Sequence, residues 1–155
     1  MGISGGDYDI TTTSGGTKHP DQDEGASDEK MYLRGPINND DYGIVVGTSN
    51  AAIDLTDYAL TSQCTEGVGA NQLNHGATGF VAPATDGTSR IFEVFRTFSN
   101  NSGAGVDVEE VGLYCLITTQ NPGSVSYFML ERTLLSFTIA DTDTDTVRYT
   151  ISVVV

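Results

Sequence analysis

Tryptophan is absent from this chain of 155 residues, lysine occurs only at Lys18 and Lys30, and seven bases stand against 21 acids. The resulting net charge of -14 argues against nucleic acid as a partner, because a polyanion needs a basic footprint. It argues equally against an anionic membrane surface. It fits a soluble protein that resists non-specific association, or one that meets a basic surface; high-salt or high-calcium surroundings are compatible too. A solvated acidic surface is the simpler account. No apolar run approaches the ~20 residues of a membrane span. The opening MGISGGDYDITTTSGG has neither the basic nor the apolar segment of a secretory signal. Gly5 and Gly6 make Met1-Gly2 read as flexible chain rather than as an acylation start. The only two cysteines, Cys64 and Cys115, have neither metal-ligand nor disulfide-framework spacing. Flanked by strand-like residues, they read as two buried free thiols.

What is abundant is glycine, at 18 residues, with many threonines and few helix formers. That composition favours strands and turns, and the length fits one domain with a core of its own. Residues 1–30 differ from the rest. Ile3, Tyr8 and Ile10 are nearly their only large apolar groups, too few to offset the entropy of ordering. They read as an extended arm that drapes over a neighbouring subunit and is disordered in the free monomer, with Ile3, Tyr8 and Ile10 as its contact residues. Residues 21–30 (DQDEGASDEK) form an acidic hinge. Residues 1–42 hold nine acids and three bases, and the remainder twelve and four, so both parts are acidic.

From residue 31 the chain reads as one β domain. A short strand at 31–34 precedes turn chemistry in Gly35-Pro36 and in Asn38 to Asp41. GIVVG (43–47) suits a buried strand. SNAAIDLTDYAL (49–60) predicts one helical or 3₁₀ turn capped by Asp54. LNHGATGFVA (73–82) predicts an irregular strand, and PATDGT (83–88) a turn. Residues 90–116 read as strand, turn, strand, with NNSGAG (100–105) as the link. Phe92, Val94 and Phe98 share one parity and Ile91 and Phe95 the other, which suggests a strand covered on both sides. Val111, Leu113, Cys115 and Ile117 form a single inward parity in the next strand. After a turn at TTQNPGS (118–124) come one or two strands within 127–140. Beyond DTDTD (141–145), Val147, Tyr149, Ile151, Val153 and Val155 alternate with Arg148, Thr150 and Ser152, the clearest periodicity in the chain. About seven to nine short strands separated by turns predict an all-β antiparallel sandwich. Jelly-roll-like is preferred over immunoglobulin-like, because no Cys–Trp–Cys pattern occurs.

Little in the sequence offers chemistry. Asp141, Asp143 and Asp145 alternate with threonine and would put three carboxylates on one side of an extended backbone, a calcium-like oxygen set. The EF-hand's Gly and Glu positions hold Thr146 and Ser152 instead, which favours a solvated turn that discourages edge pairing. Asn38, Asn39, Asp40 and Asp41 offer a weaker version of the same cluster. Glu109 and Glu110 should point to opposite faces and cannot serve as a glycosidase pair; one of them is expected to pair with Arg96 across the hairpin. His19 and His75 are solitary and belong to no nucleophile–His–acid set. No phosphate-binding glycine motif is present. The expectation is a non-enzymatic protein without a cofactor.

RTFSNNSGAGVDVEEVGLY (96–114), FMLER (128–132) and DTDTVRYTISV (143–153) occur in that order. Together they resemble small virion structural proteins of tailed bacteriophages and their proviruses, as do IVVGTSNAAIDLTDYAL (44–60) and GANQLNHGA (69–77). The resemblance covers roughly residues 44–155 and leaves out the arm. It implies a virion protein made in the host cytoplasm, most simply a capsid decoration or cement protein. Its partners would be itself, as a homo-oligomer with a trimer as the analogy, and the major capsid protein. A tail, collar or fibre subunit with a receptor- or glycan-binding role is the alternative, with Tyr32, Tyr42 and Tyr58 as its loop aromatics. An extracellular filament subunit joined by donor-strand exchange is a third reading.

Overall fold

The computed structural model describes residues 10–18, 31–118 and 125–154. Ile3, Tyr8, His19, the acidic hinge at 21–30 and the body of the predicted 118–124 turn lie outside them. Among the described residues there is no helix, and ten strands run in chain order. They are β1 (Ile10–Thr11), β2 (Thr17–Lys18), β3 (Met31–Tyr32), β4 (Gly43–Gly47) and β5 (Asn74–His75), followed by β6 (Gly79–Asp86), β7 (Ser89–Ser99), β8 (Val106–Thr118), β9 (Val125–Ile139) and β10 (Thr144–Val154).

The strands make an antiparallel β-sandwich. In one sheet β7 is central, flanked by β10 on one side and by β5 and β6 on the other; in the second β8 is central, flanked by β9 on one side and by β3 and β4 on the other. Their facing sides supply one core. Val94, Phe98 and Val147 come from the first sheet, and Ile44, Val46, Val106, Val108, Val111, Leu113 and Ile139 from the second. Cys64 and Leu73, from the segment between β4 and β5, close it. Removing these side chains from water is the main favourable term in folding.

β7 and β8 do not form the hairpin that turn chemistry at 100–105 predicts. Turn residues change the chain's direction but do not say which strand it will pair with next, and here the chain passes from one sheet to the other. β7 pairs with β10 from Ser99↔Thr144 to Ser89↔Val154, and β8 pairs with β9 from Val106↔Ile139 to Thr118↔Val125. The two pairings are nested, so four strands form one two-stranded ribbon that folds over at a corner made by residues 100–105 and 140–143. Folding the ribbon over at this corner is what sets its two halves in the two facing sheets. Asn100 holds the corner. Its backbone N–H donates to Asp143 O (2.9 Å), its own C=O accepts from Thr142 N (2.7 Å), and its side-chain amide donates to Ala104 O (2.7 Å) and Ile139 O (2.8 Å). Its Oδ1 accepts from Ser102 N and Oγ.

Several other expectations change. Residues 49–60 form no helical turn. Asp57 N donates to Asp54 O (3.1 Å), but Asp54 Oδ1 takes the N–H and hydroxyl of Thr56, a local competition that favours an isolated turn over a helix. PATDGT is not one turn. β6 runs through Pro83 across a register shift between Val81 and Ala84, and the chain reverses only at Gly87-Thr88, where Gly87 takes φ +58°. Strand β4 and the middle of β8, not β7, are buried on both faces. The inward set of β8 passes from Val106 and Val108 to Val111 and Leu113 across a bulge. Tyr114 packs with Val45 and Leu60 in a second cluster, because residues 51–62 cover the outer face of the sheet. The second side of β7 is only half-covered: Phe95 lies under the Arg148 guanidinium, 5.0 Å from the ring centroid.

Candidate functional site

The residues that the sequence offers for chemistry do not converge. No group of three or more His, Cys, Asp or Glu among the described residues is placed to hold a metal. Asp141 Oδ1 accepts from Gly103 N across the corner (2.9 Å), whereas Asp145 lies inside β10 opposite Phe98. In the 38–41 cluster, Asn39 Nδ2 donates to Asp41 Oδ2 (2.8 Å), while Asp40 Oδ2 accepts from Glu66 N (2.8 Å). The Asp40, Asp41 and Asp141 carboxylates are thus occupied in holding turns and loops.

Glu109 and Glu110 take different partners, and neither meets Arg96. Glu109 accepts from the Ser136 hydroxyl (3.1 Å). Glu110 is wholly buried and accepts from Thr61 N (3.1 Å), Ser62 N (2.7 Å) and Arg132 Nε (2.9 Å). Arg132 continues to Asp57 Oδ2 (2.5 Å) and to the carbonyl of Ala51 (2.9 Å). Asp57 is held below the usual carboxylate range by the backbone hydrogen bond at Asp54 and by the Arg132 guanidinium. This network, with Tyr114 Oη accepting from Leu60 N, ties residues 51–62 onto the sheet. Burial pushes the Tyr114 phenol up to about 12.

Arg96 is 0 % exposed, on the inward parity of β7 with Phe92, Val94 and Phe98. Its Nε donates to Gly76 O (2.7 Å), Nη1 to Tyr42 O (3.1 Å) and Ile44 O (2.9 Å), and Nη2 to Pro36 O (2.9 Å) and Asn39 O. All five donors meet carbonyls, so the side chain pins the 36–44 segment and the β5–β6 link to the core. Desolvation lowers its pKa to about 10. Beside it, His75 is buried with Nδ1 near Glu66 Oε2 (2.9 Å) and Leu73 O (3.0 Å). Two acceptors there place the proton on Nδ1. Nε2 is buried and meets no partner among the described residues. Sequence reasoning missed these buried charges; the available signal was Arg96 sharing the parity of three core residues.

Cys64 and Cys115 are both buried and free. Burial, with the Glu110 carboxylate adding to it, pushes the Cys64 thiol up to about 11, and burial raises Cys115 as well. Both stay protonated at neutral pH, which makes them poor nucleophiles.

What the fold leaves open is a flank. Among the described residues β9 has β8 as its only strand partner, and β10 has only β7. The seam between them is a groove of about 390 Å³ lined by Leu135, Phe137 and Thr138 on one side and Asp145 to Arg148 on the other. Leu134, Leu135, Val153 and Val154 are exposed. Ile10 is exposed in β1, within a β1–β2 hairpin that touches the start of β9 through Thr13 N donating to Tyr127 O (3.0 Å). Of the loop aromatics, Tyr42 stacks on Tyr127 with centroids 6.0 Å apart, Tyr58 lies against Gly15, and Tyr32 is in β3. Among the described residues no helix is long and apolar enough to cross a membrane. The chain matches no protein-family model, no curated protein and no solved structure.

Proposed function

We propose that the chain is a non-enzymatic structural subunit of a tailed-phage virion, a capsid decoration or cement protein that clamps neighbouring subunits through its N-terminal arm. The observation that carries this reading is the open flank, where the long edge strand β10 offers backbone, and the groove between it and β9 offers apolar surface, for strand addition. The buried polar groups support it in a second way. Arg96, Glu110, Arg132 and Asn100 are spent on backbone groups and on each other, as suits a subunit whose work is to keep its shape. The phrases that resemble virion proteins lie mainly in the ribbon of β7 to β10, so the likeness is carried by the shape-forming strands.

The test is gold labelling of the native source particles with an antibody to this chain, viewed by electron microscopy. Label spread over icosahedral heads is the expected result. Label confined to a tail, neck or fibre replaces decoration with attachment or recognition. Label on long free fibres without particles overturns the virion reading.

A further inference from the structure

The two four-stranded sheets of the sandwich have four flanks, and three of them are obstructed in whole or in part. The outer edge of β4 is already taken: Cys64 N donates to Val46 O (2.8 Å) and Thr48 N to Ser62 O (2.9 Å). β6 is interrupted by Pro83 and a register shift, both of which spoil an edge for addition. β9 carries two register shifts against β8, and its beginning accepts the Thr13 N–H. β10 differs. It pairs with β7 over eleven consecutive residues without a shift, it contains neither Pro nor Gly, and among the described residues its backbone makes no hydrogen bond beyond that ladder. Its last six residues, Tyr149 to Val154, carry no charge in a chain of net charge -14. Val153 is 57 % and Val154 77 % exposed.

We propose that β10 is a homotypic docking edge, on which a second copy of this chain pairs its own β10 antiparallel about a two-fold axis at Thr150. The occupant follows from the strand's own pattern. A two-fold perpendicular to the sheet keeps faces together, so partners share parity. Centred on Thr150, Val147 lies opposite Val153, Tyr149 opposite Ile151, Thr146 opposite Val154 and Arg148 opposite Ser152. Within the paired stretch 146–154 every inward pair is apolar and no charge meets a like charge, and Asp145 stays outside it. Moving the axis to Tyr149 sets Asp145 against Val153, and moving it to Arg148 sets that cation against itself. Moving it to Ile151 leaves a shorter overlap. The two sheets centred on β7 then become one continuous sheet, and Val153 and Val154 are covered by the opposite copy. This inference rests on the reading of the chain as an assembly subunit and adds which surface meets which.

The experiment is sedimentation equilibrium of the full chain from micromolar to millimolar concentration at low and high salt. It is run on wild type, Ser152→Arg, Ser152→Glu and the reversed pair Ser152→Arg with Arg148→Glu. Ser152 is exposed, so each Ser152 variant should melt like wild type. A monomer–dimer equilibrium that tightens with salt is expected, because screening relieves repulsion between two acidic copies. Ser152→Arg faces the partner's Arg148 twice per dimer and should weaken association about tenfold. Ser152→Glu should not weaken it, and the reversed pair should restore it. A chain that stays monomeric throughout, or a dimer indifferent to both Ser152 substitutions, overturns the proposal. Association is read on the isolated chain and virion location on particles, so either can fail without the other.

Discussion

A guanidinium sealed from water must find an acceptor for each of its donors, and Arg96 does so with carbonyls alone. Truncating it leaves those carbonyls buried and unmatched. Arg96→Ala should therefore cost about 3–5 kcal/mol in urea unfolding, and Arg96→Lys, with fewer donors in a different geometry, should recover only part of it. Near it, burial and the Arg96 charge hold His75 below its ordinary value of 6.5, against the pull of Glu66. Burial acts to raise Glu66, but hydrogen bonds from Asn74, from the His75 backbone and from its ring outweigh it and hold the carboxyl below 4.5. Both shifts act in one direction. Below about 6.5 the unfolded chain takes up a proton at His75 that the folded chain refuses, so stability falls as pH falls. The Glu66 contribution is present above 4.5 and is lost at still lower pH as the folded carboxyl protonates. Chemical denaturation across pH 7 to 5 should show this loss in wild type and a flatter profile in His75→Gln.

The corner is the element on which the sandwich turns. Asn100→Ala removes the donors to Ala104 and Ile139 and the acceptor of Ser102, and should cost about 2–4 kcal/mol. Thr142, in the same corner, holds φ +68°, a left-handed conformation that a β-branched residue adopts only under strain. Thr142→Gly should therefore raise stability by about 1 kcal/mol. Opposite shifts in the melting temperatures of these two variants would check both. The strands themselves were legible in the sequence wherever one face is buried, as at Val147 and Tyr149, since burial there imposes a period of two. The assignment of β7 and β8 to different sheets was not, because glycine and asparagine in 100–105 report a bend and not the partner beyond it. Arg96 was marked as interior only by sharing the parity of Phe92, Val94 and Phe98, and Glu110 and Arg132 were not marked at all. Their partners, such as the Ile44 carbonyl for Arg96, the Ser62 N–H for Glu110 and the Asp57 carboxylate for Arg132, come from distant segments that only the folded chain brings together.

At the scale of the whole molecule, nested pairing sets the sequence of events by which the chain can assemble. Ser99 and Thr144 are far apart along the chain, and the entropy of closing a loop grows with its length. Once β8 and β9 have joined, only the short links at 100–105 and 140–143 separate the ends of β7 and β10, and the second pairing closes at a fraction of its original cost. The ribbon can therefore zip from its inner hairpin outward, which eases the slow step that non-local sheets otherwise face. Destabilising substitutions between β8 and β9, such as Phe128→Ala, should mainly slow refolding. Those between β7 and β10, such as Val147→Ala, should mainly speed unfolding, and the two arms of a stopped-flow chevron separate these effects. A chain built this way emerges from synthesis with its inner hairpin already able to close before β10 exists, so β10, made after the strands it must clasp, is the one that locks the wrap.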